Sequence, residues 1–266
     1  MNVVQRALRF FCQGYGLVGI VDVPERPLAR GVLIVTGGPQ YRVGSHRQFT
    51  LLARTLSARG VPVMRFDQRG MGDSEGDPRS FDTINDDIGA AVKEYFRQVP
   101  EMKELVIWGL CDGATAAVFY AVTDARVRGL VLVNPWVRSP EGAARVNLRH
   151  YYLGRLGERE FWKKVATGNF DFGASAASLS QQIRLASTER SVSLPQRVSD
   201  TLAGYGGQVL VVLSGDDLSA REFSDLMAET ELPVRRVDIA GANHTFACRK
   251  WRDEVADISA NWVISW

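Results

Sequence analysis

The run Val106-Ile107-Trp108-Gly109-Leu110-Cys111-Asp112-Gly113-Ala114 decides how this sequence is read. A short apolar segment ends in Gly-Leu-Cys-Asp-Gly and passes at once into Ala114-Thr115-Ala116-Ala117-Val118-Phe119-Tyr120-Ala121. That order is a strand, a sharp turn and a helix. In a G-x-S-x-G turn of this kind the central residue sits on strained backbone, with its reactive atom exposed above a sheet. Small residues flank it because the strand and helix backbones come very close. Here the central residue is Cys111, so the turn predicts a thiol nucleophile. The pattern is short, and a cysteine after a strand is ordinarily a small buried apolar residue. Its weight comes from what surrounds it along the chain.

Upstream, Gly31-Val32-Leu33-Ile34-Val35-Thr36 reads as a strand buried on both faces. It runs into a glycine-rich loop, Gly37 to His46, and then a helix from about Arg47 to Arg59. Phe49, Leu52, Ala53 and Leu56 share one face of that helix. The order of strand, elbow and helix resembles that of α/β-hydrolases, and in those a loop in this position supplies one backbone amide to an oxyanion hole. Pro39 has no N–H, which leaves Gly38 or Gln40, with Gly38 preferred. The second amide is that of Asp112, the residue after the nucleophile. A carboxylate there disfavours thiolate formation unless its side chain points away.

The rest of the chain continues the alternation. Arg6–Cys12 and Leu17–Val23 read as a hairpin joined by Gln13 to Gly16, with Cys12 packed in its strand. Val61–Phe66 is a strand, and Phe81–Val99 a helix with Asp82 as N-cap. Val127–Val133 is a strand that ends in Asn134-Pro135-Trp136. The pattern breaks at about Ser139 and resumes with Gln208–Ser214, which runs into Gly215-Asp216-Asp217-Leu218. Val234–Ile239 is the last strand, followed by Ala240-Gly241-Ala242-Asn243-His244. A final helix carries Trp251, Val255, Ile258, Trp262 and Val263, with Cys248 expected to pack beneath it. Strands alternating with helices predict an α/β fold with a mostly parallel sheet wrapped on both faces.

Composition narrows the function classes. The 266 residues are 45% hydrophobic and 23% charged, as in one globular domain with room for an insertion. A net charge of +2 implies no nucleic-acid partner. No apolar run approaches the roughly 18 residues of a membrane span. The N-terminus lacks the apolar core of a signal peptide, so a cytoplasmic location is expected. Three cysteines without metal-ligand spacing point to a reduced compartment and to no metal or other cofactor. The histidines are His46, His150 and His244. His150 lies in the interrupted stretch and is expected to be a lid or surface residue; His244, which follows the last strand, is the expected base.

A nucleophile after one strand, an acid after a later strand and a histidine after the last match the Ser…Asp/Glu…His order of α/β-hydrolases. The loop Asp67-Gln68-Arg69-Gly70-Met71-Gly72-Asp73-Ser74 also resembles the D-x-R-G-x-G-x-S loop common in that superfamily. The resemblance implies that Asp67 and Arg69 are structural. It places a helical lid after the sixth strand, giving core residues 1–138, a lid or cap at 139–206 and core residues 207–266. Basic and aromatic residues there, such as Arg145, Arg149, Tyr151 and Trp162, fit either a substrate entrance or a solvated helical face. The implied triad is Cys111, His244 and Asp217, with Asp217 preferred to Asp216, which would cap the next turn.

The segments Gly37 to Phe49, Trp108 to Asp112 and Ser214 to Leu218 more narrowly resemble the first type of hydrolase encoded beside exosortase A systems. Such systems accompany bacterial extracellular polysaccharide production. The resemblance implies a cytoplasmic enzyme acting on a small acyl substrate. The expected reaction is hydrolysis of an ester or thioester through an acyl-cysteine intermediate. Acyl transfer to a sugar or other acceptor, and a non-catalytic binding role, are the alternatives.

Overall fold

The computed structural model describes residues 2–138 and 192–266. The chain separates into two compact units, residues 1–136 with 198–266, and residues 137–197. Most of the expected lid, including His150 and the basic and aromatic residues around it, lies outside the described residues. Its last part contains the helix α4 (Leu194–Gly204).

The core is an eight-stranded sheet. Its strands are β1 (Val3–Cys12), β2 (Tyr15–Pro24), β3 (Arg30–Val35), β4 (Val63–Phe66), β5 (Glu104–Leu110), β6 (Val127–Val133), β7 (Gln208–Ser214) and β8 (Arg235–Ile239). Their order across the sheet is β1-β2-β4-β3-β5-β6-β7-β8. β1 and β2 form an antiparallel hairpin, and β2 is antiparallel to β4. Every pairing from β4 through β3 to β8 is parallel.

The helices are α1 (Gln48–Ala58), α2 (Asn85–Gln98), α3 (Asp112–Ala121), α5 (Leu218–Glu229) and α6 (Arg249–Ile264), besides α4. Alternation along the strands divides the core between two faces. Val32, Ile34, Val106, Trp108, Val131 and Val212 join Phe49, Leu52 and Leu56 of α1 and Val255, Trp262 and Val263 of α6 in one cluster. The intervening residues Leu33, Ile107, Leu130 and Val211 are equally buried and face the other way. Strands covered on both sides are apolar along their buried stretches, which is why the inner parts of β3, β5, β6 and β7 were legible as apolar runs. Each such Leu, Ile or Val contributes about 1.5–3 kcal/mol by leaving water.

The topology fixes where a site can form. β3 leads to β4 on one side of the sheet, while β5, beside β3, leads to β6 on the other. The loops leaving β3 and β5 therefore diverge and open a crevice at the carboxyl edge. Those are the loops that carry Gly38 and Cys111.

Three local expectations are corrected. The second helix starts at Asn85, not Phe81, and its N-cap is Ile84, which has no capping side chain. Residues 81–83 form a turn in which the Thr83 N–H bonds the Ser80 carbonyl, and Ile84 is buried in the core. Cys248 does not pack under the last helix; it is exposed at the N-cap of α6. Asp216 does not cap the turn after β7. Asp217 does, through a bond from the Ala220 N–H at 2.9 Å. Among the described residues no helix is long and apolar enough to cross a membrane.

Candidate active site

Cys111 joins β5 to α3 with φ 59° and ψ −126°. A non-glycine residue in this region is strained, and such strain concentrates at functional turns. The close approach around it explains the two glycines. A Cβ on Gly109 would stand 2.6 Å from the Ala114 backbone, and one on Gly113 would stand 2.7 Å from the Val35 carbonyl oxygen. Larger residues at either position would force helix and strand apart. The turn is held by the Cys111 N–H to the Val133 carbonyl at 2.9 Å, and by the Trp136 N–H to the Cys111 carbonyl at 3.2 Å. The Thr115 hydroxyl adds a bond to the Trp136 carbonyl at 2.6 Å.

The structure brings His244 and Asp217 together. His244 Nδ1 lies 3.0 Å from Asp217 Oδ1, with the Cys111 side chain near enough to act on the imidazole. Asp217 first and then Cys111 raise the His244 pKa from 6.5 to about 10 against the opposing effect of burial. Burial pushes the Asp217 carboxyl up, but bonds from His244 and from the Ala220 N–H outweigh it and hold Asp217 below its ordinary range. The site is built to carry an imidazolium between a carboxylate and a sulfur. Asp216 points away, 71% exposed, 3.4 Å from Arg221.

The loop after β3 reaches the turn as well. The Gly38 N–H donates to Asp112 Oδ1 at 2.6 Å. The Gln40 N–H is engaged by the Gly38 carbonyl at 2.8 Å, so Gly38 is the amide turned toward the elbow. Beside Asp112 lies a cavity of about 210 Å³, bounded in part by Thr36, Gln68, Met71 and Phe81, with Arg79 also lining it.

Asp67 and Arg69 do not bond each other. Asp67, fully buried, accepts from the Arg42 N–H at 2.6 Å and the Asp73 N–H at 3.0 Å, and pairs with the Arg42 guanidinium. Arg69, also buried, pairs with Asp87 of α2 and donates to Gln13 at 2.7 Å. One carboxylate ties the β4 loop to the β3 loop, and one guanidinium ties it to α2. His46 lies exposed in a turn before α1. Cys12 is buried beside Asp87, and burial first, then Asp87, raises its thiol pKa to about 11.

One positioning residue was missed in the sequence. Asn134 is fully buried at φ 45°, just past β6. Its amide donates to the Ser214 hydroxyl at 2.8 Å and to the His244 carbonyl at 3.0 Å. It also accepts from the Ser214 N–H at 2.8 Å, and the Ser214 hydroxyl donates to the Asn243 carbonyl at 3.0 Å. This amide clips the His244 loop to the ends of β6 and β7. The available signal was an asparagine directly after a strand, where it tolerates left-handed backbone better than most residues.

This sheet, its switch-point crevice and an elbow cysteine beside a histidine–aspartate pair define an α/β-hydrolase. Residues 32–258 match the model of the alpha/beta hydrolase family, and the chain belongs to that family. Among curated proteins it is 29% identical over 98 residues to the polyketide transferase grgF of a Penicillium species, covering 33% of this chain and 31% of that one. The chain thus spans about a third of the length of that relative, and 46% of the length of the uncharacterized protein PA2218 of Pseudomonas aeruginosa. Among solved structures, the Pyrococcus furiosus esterase PF2001 superposes with a TM-score of 0.69 at 14% identity, covering 99% of this chain and 92% of the other. Est1E from Butyrivibrio proteoclasticus, solved with ferulic acid, gives a TM-score of 0.64 at 18% identity over 97% and 98% of the two chains. Likeness at these identities speaks for the fold alone.

Proposed function

We propose that this α/β-hydrolase cleaves an ester or thioester through a Cys111-His244-Asp217 triad. The observation that carries the reading is the His244–Asp217 pair, 3.0 Å apart, beside Cys111 at a strained elbow. His244 takes the thiol proton, and the thiolate attacks the acyl carbon. The S–C bond forms, and the carbonyl π pair moves onto oxygen, facing the amides of Gly38 and Asp112. Collapse expels the alcohol or thiol, which takes the proton from His244. Water then gives a proton to His244 and attacks the thioester, releasing the acid and restoring the thiol. Asp217 holds the imidazole in the productive tautomer and stabilises its positive form.

Intact-mass measurement after exposure to a panel of activated esters and thioesters tests this. Wild type should gain one acyl group that Cys111→Ala does not. An adduct on Cys111→Ala, or turnover that survives the substitution, overturns the assignment. A second reading is acyl transfer to a non-water acceptor. The partial likeness to a polyketide transferase favours it, and the resemblance to exosortase-linked hydrolases suggests a sugar hydroxyl as acceptor. Product analysis with and without sugar acceptors separates the two: an acylated sugar supports transfer, and free acid alone supports hydrolysis.

A further inference from the structure

We propose that the Asp112 carboxylate is a built-in occupant of the oxyanion hole, which a substrate carbonyl must displace before Cys111 can be acylated. The inference rests on the Cys111 assignment above.

A donor that a tetrahedral intermediate would use is already engaged. Asp112 Oδ1 accepts from the Gly38 N–H at 2.6 Å, and the N–H groups of Asp112 and Gly113 are near enough to favour charge on the same carboxylate. These last two begin α3, where N–H groups have no partner within the helix and favour a negative charge. The place is shaped for that oxygen. A Cβ on Gly37 would stand 2.4 Å from Asp112 Oδ1 and 2.2 Å from the Leu110 carbonyl oxygen. Only glycine lets the β3 loop close over both.

The occupancy carries an electrostatic cost. Burial raises the Asp112 pKa, and the Gly38, Asp112 and Gly113 amides, with His244 at longer range, offset only part of it. A displaced side chain has somewhere to go. The adjoining cavity of about 210 Å³ is lined by Asp112 itself, Gln68 and Met71, and by the cationic Arg79. While the carboxylate stays in place, a free acid meets a like charge where its own oxygen would bind. The device thus favours neutral acyl carbonyls over their carboxylate products.

Two probes that both need the thiolate separate this from the nucleophile assignment. Iodoacetamide alkylates sulfur without forming an oxyanion. A short-chain trifluoromethyl ketone forms a hemithioketal: the S–C bond closes, the π pair moves to oxygen, and the proton stays on His244. Removing Asp112 also removes a charge near sulfur, so alkylation is compared on each protein's alkaline plateau. In Asp112→Ala, ketone affinity should rise about ten-fold or more, since a preorganised hole binds an oxyanion strongly once vacant. The plateau alkylation rate should stay within about three-fold. Ketone binding that is unchanged or weaker, with alkylation intact, overturns the proposal and leaves the nucleophile standing. Failure of both probes to modify Cys111 in wild type overturns the nucleophile and, with it, this inference. Asp112→Asn keeps the shape without the charge. It should show a smaller gain in ketone affinity and carries the same test if Asp112→Ala does not fold.

Discussion

Two aspartates stand at the starts of two helices along the same edge of the sheet, and their surroundings act on them in opposite directions. Asp217, after β7, N-caps α5 and contacts His244 at 3.0 Å. Burial pushes its carboxyl up, and the imidazole and backbone donors more than reverse that. Asp112, after β5, accepts from the Gly38 N–H at 2.6 Å and stands at the first amides of α3, which favour its charge. Burial wins there, and its carboxyl rises. Both have a helix N-terminus, so backbone donors are not what separates them. An imidazole in direct contact is. A helix start by itself does not repay the water that a carboxylate loses.

Substitutions can break that comparison, the strongest first. Cys111→Ala removes the sulfur between the two turns and should lower ester turnover on the order of a thousand-fold or more. Its melting curve should stay near wild type. Asp217→Asn keeps the cap but loses the charge beside His244. Turnover should fall roughly a hundred-fold, less than the ten-thousand-fold cost in a serine triad, because a thiol ionises more readily. If Asp112→Asn proved equally damaging to turnover, the two carboxylates would not differ in role.

The comparison can also be sharpened by pH. His244 is raised from 6.5 to about 10, so its pairing favours the protonated form. The stability it contributes is fully present below pH 6.5 and is lost as pH climbs through about 10. Urea midpoints of wild type and His244→Gln should therefore differ at pH 6 and converge toward pH 10. The two aspartates should respond with opposite signs. Asp217 has a depressed pKa, so its charge stabilises at neutral pH, and that benefit disappears as pH falls through its folded value. Asp112 has a raised pKa, so its charge destabilises at neutral pH. By thermal melting at pH 7, Asp217→Asn should lower Tm and Asp112→Asn should raise it, each by about one to a few degrees. Both differences should shrink near pH 3. Smallest of all, Asp216→Asn removes only an exposed charge near Arg221, and a turnover assay should find it within about three-fold of wild type.

The sheet was legible because strands buried on both faces leave unbroken apolar runs, as at residues 31–35 and 129–133. The elbow was legible because close backbone approach demands glycine at 109 and 113. Both signals are local. What could not be read depends on partners distant in sequence. Asn134 acquires its role only when β6 and β7 lie side by side and bring Ser214 and His244 to it. Asp67 and Arg69 were expected to be structural, but their partners, Arg42 and Asp87, lie on separate elements that the loop sequence does not name. Asp216 and Asp217 differ by one step of the turn, and the fold places one in solvent and the other against an imidazole. The direction of the Asp112 side chain depends on Gly38, 74 residues earlier.

The glycines of the elbow also bear on how this chain can change over generations. Gly37, Gly109 and Gly113 each stand where a single added carbon meets backbone closer than 3.0 Å, so these positions tolerate almost no variation. Cys111 and Asp112 lie between the last two, and both stay partly exposed. Cysteine and serine codons differ by one base. The proposed nucleophile is therefore a single nucleotide from an alcohol, while the frame that holds it is all but frozen. Architecture and chemistry can be inherited separately here, and a lineage could exchange one nucleophile for another without passing through an unfolded ancestor.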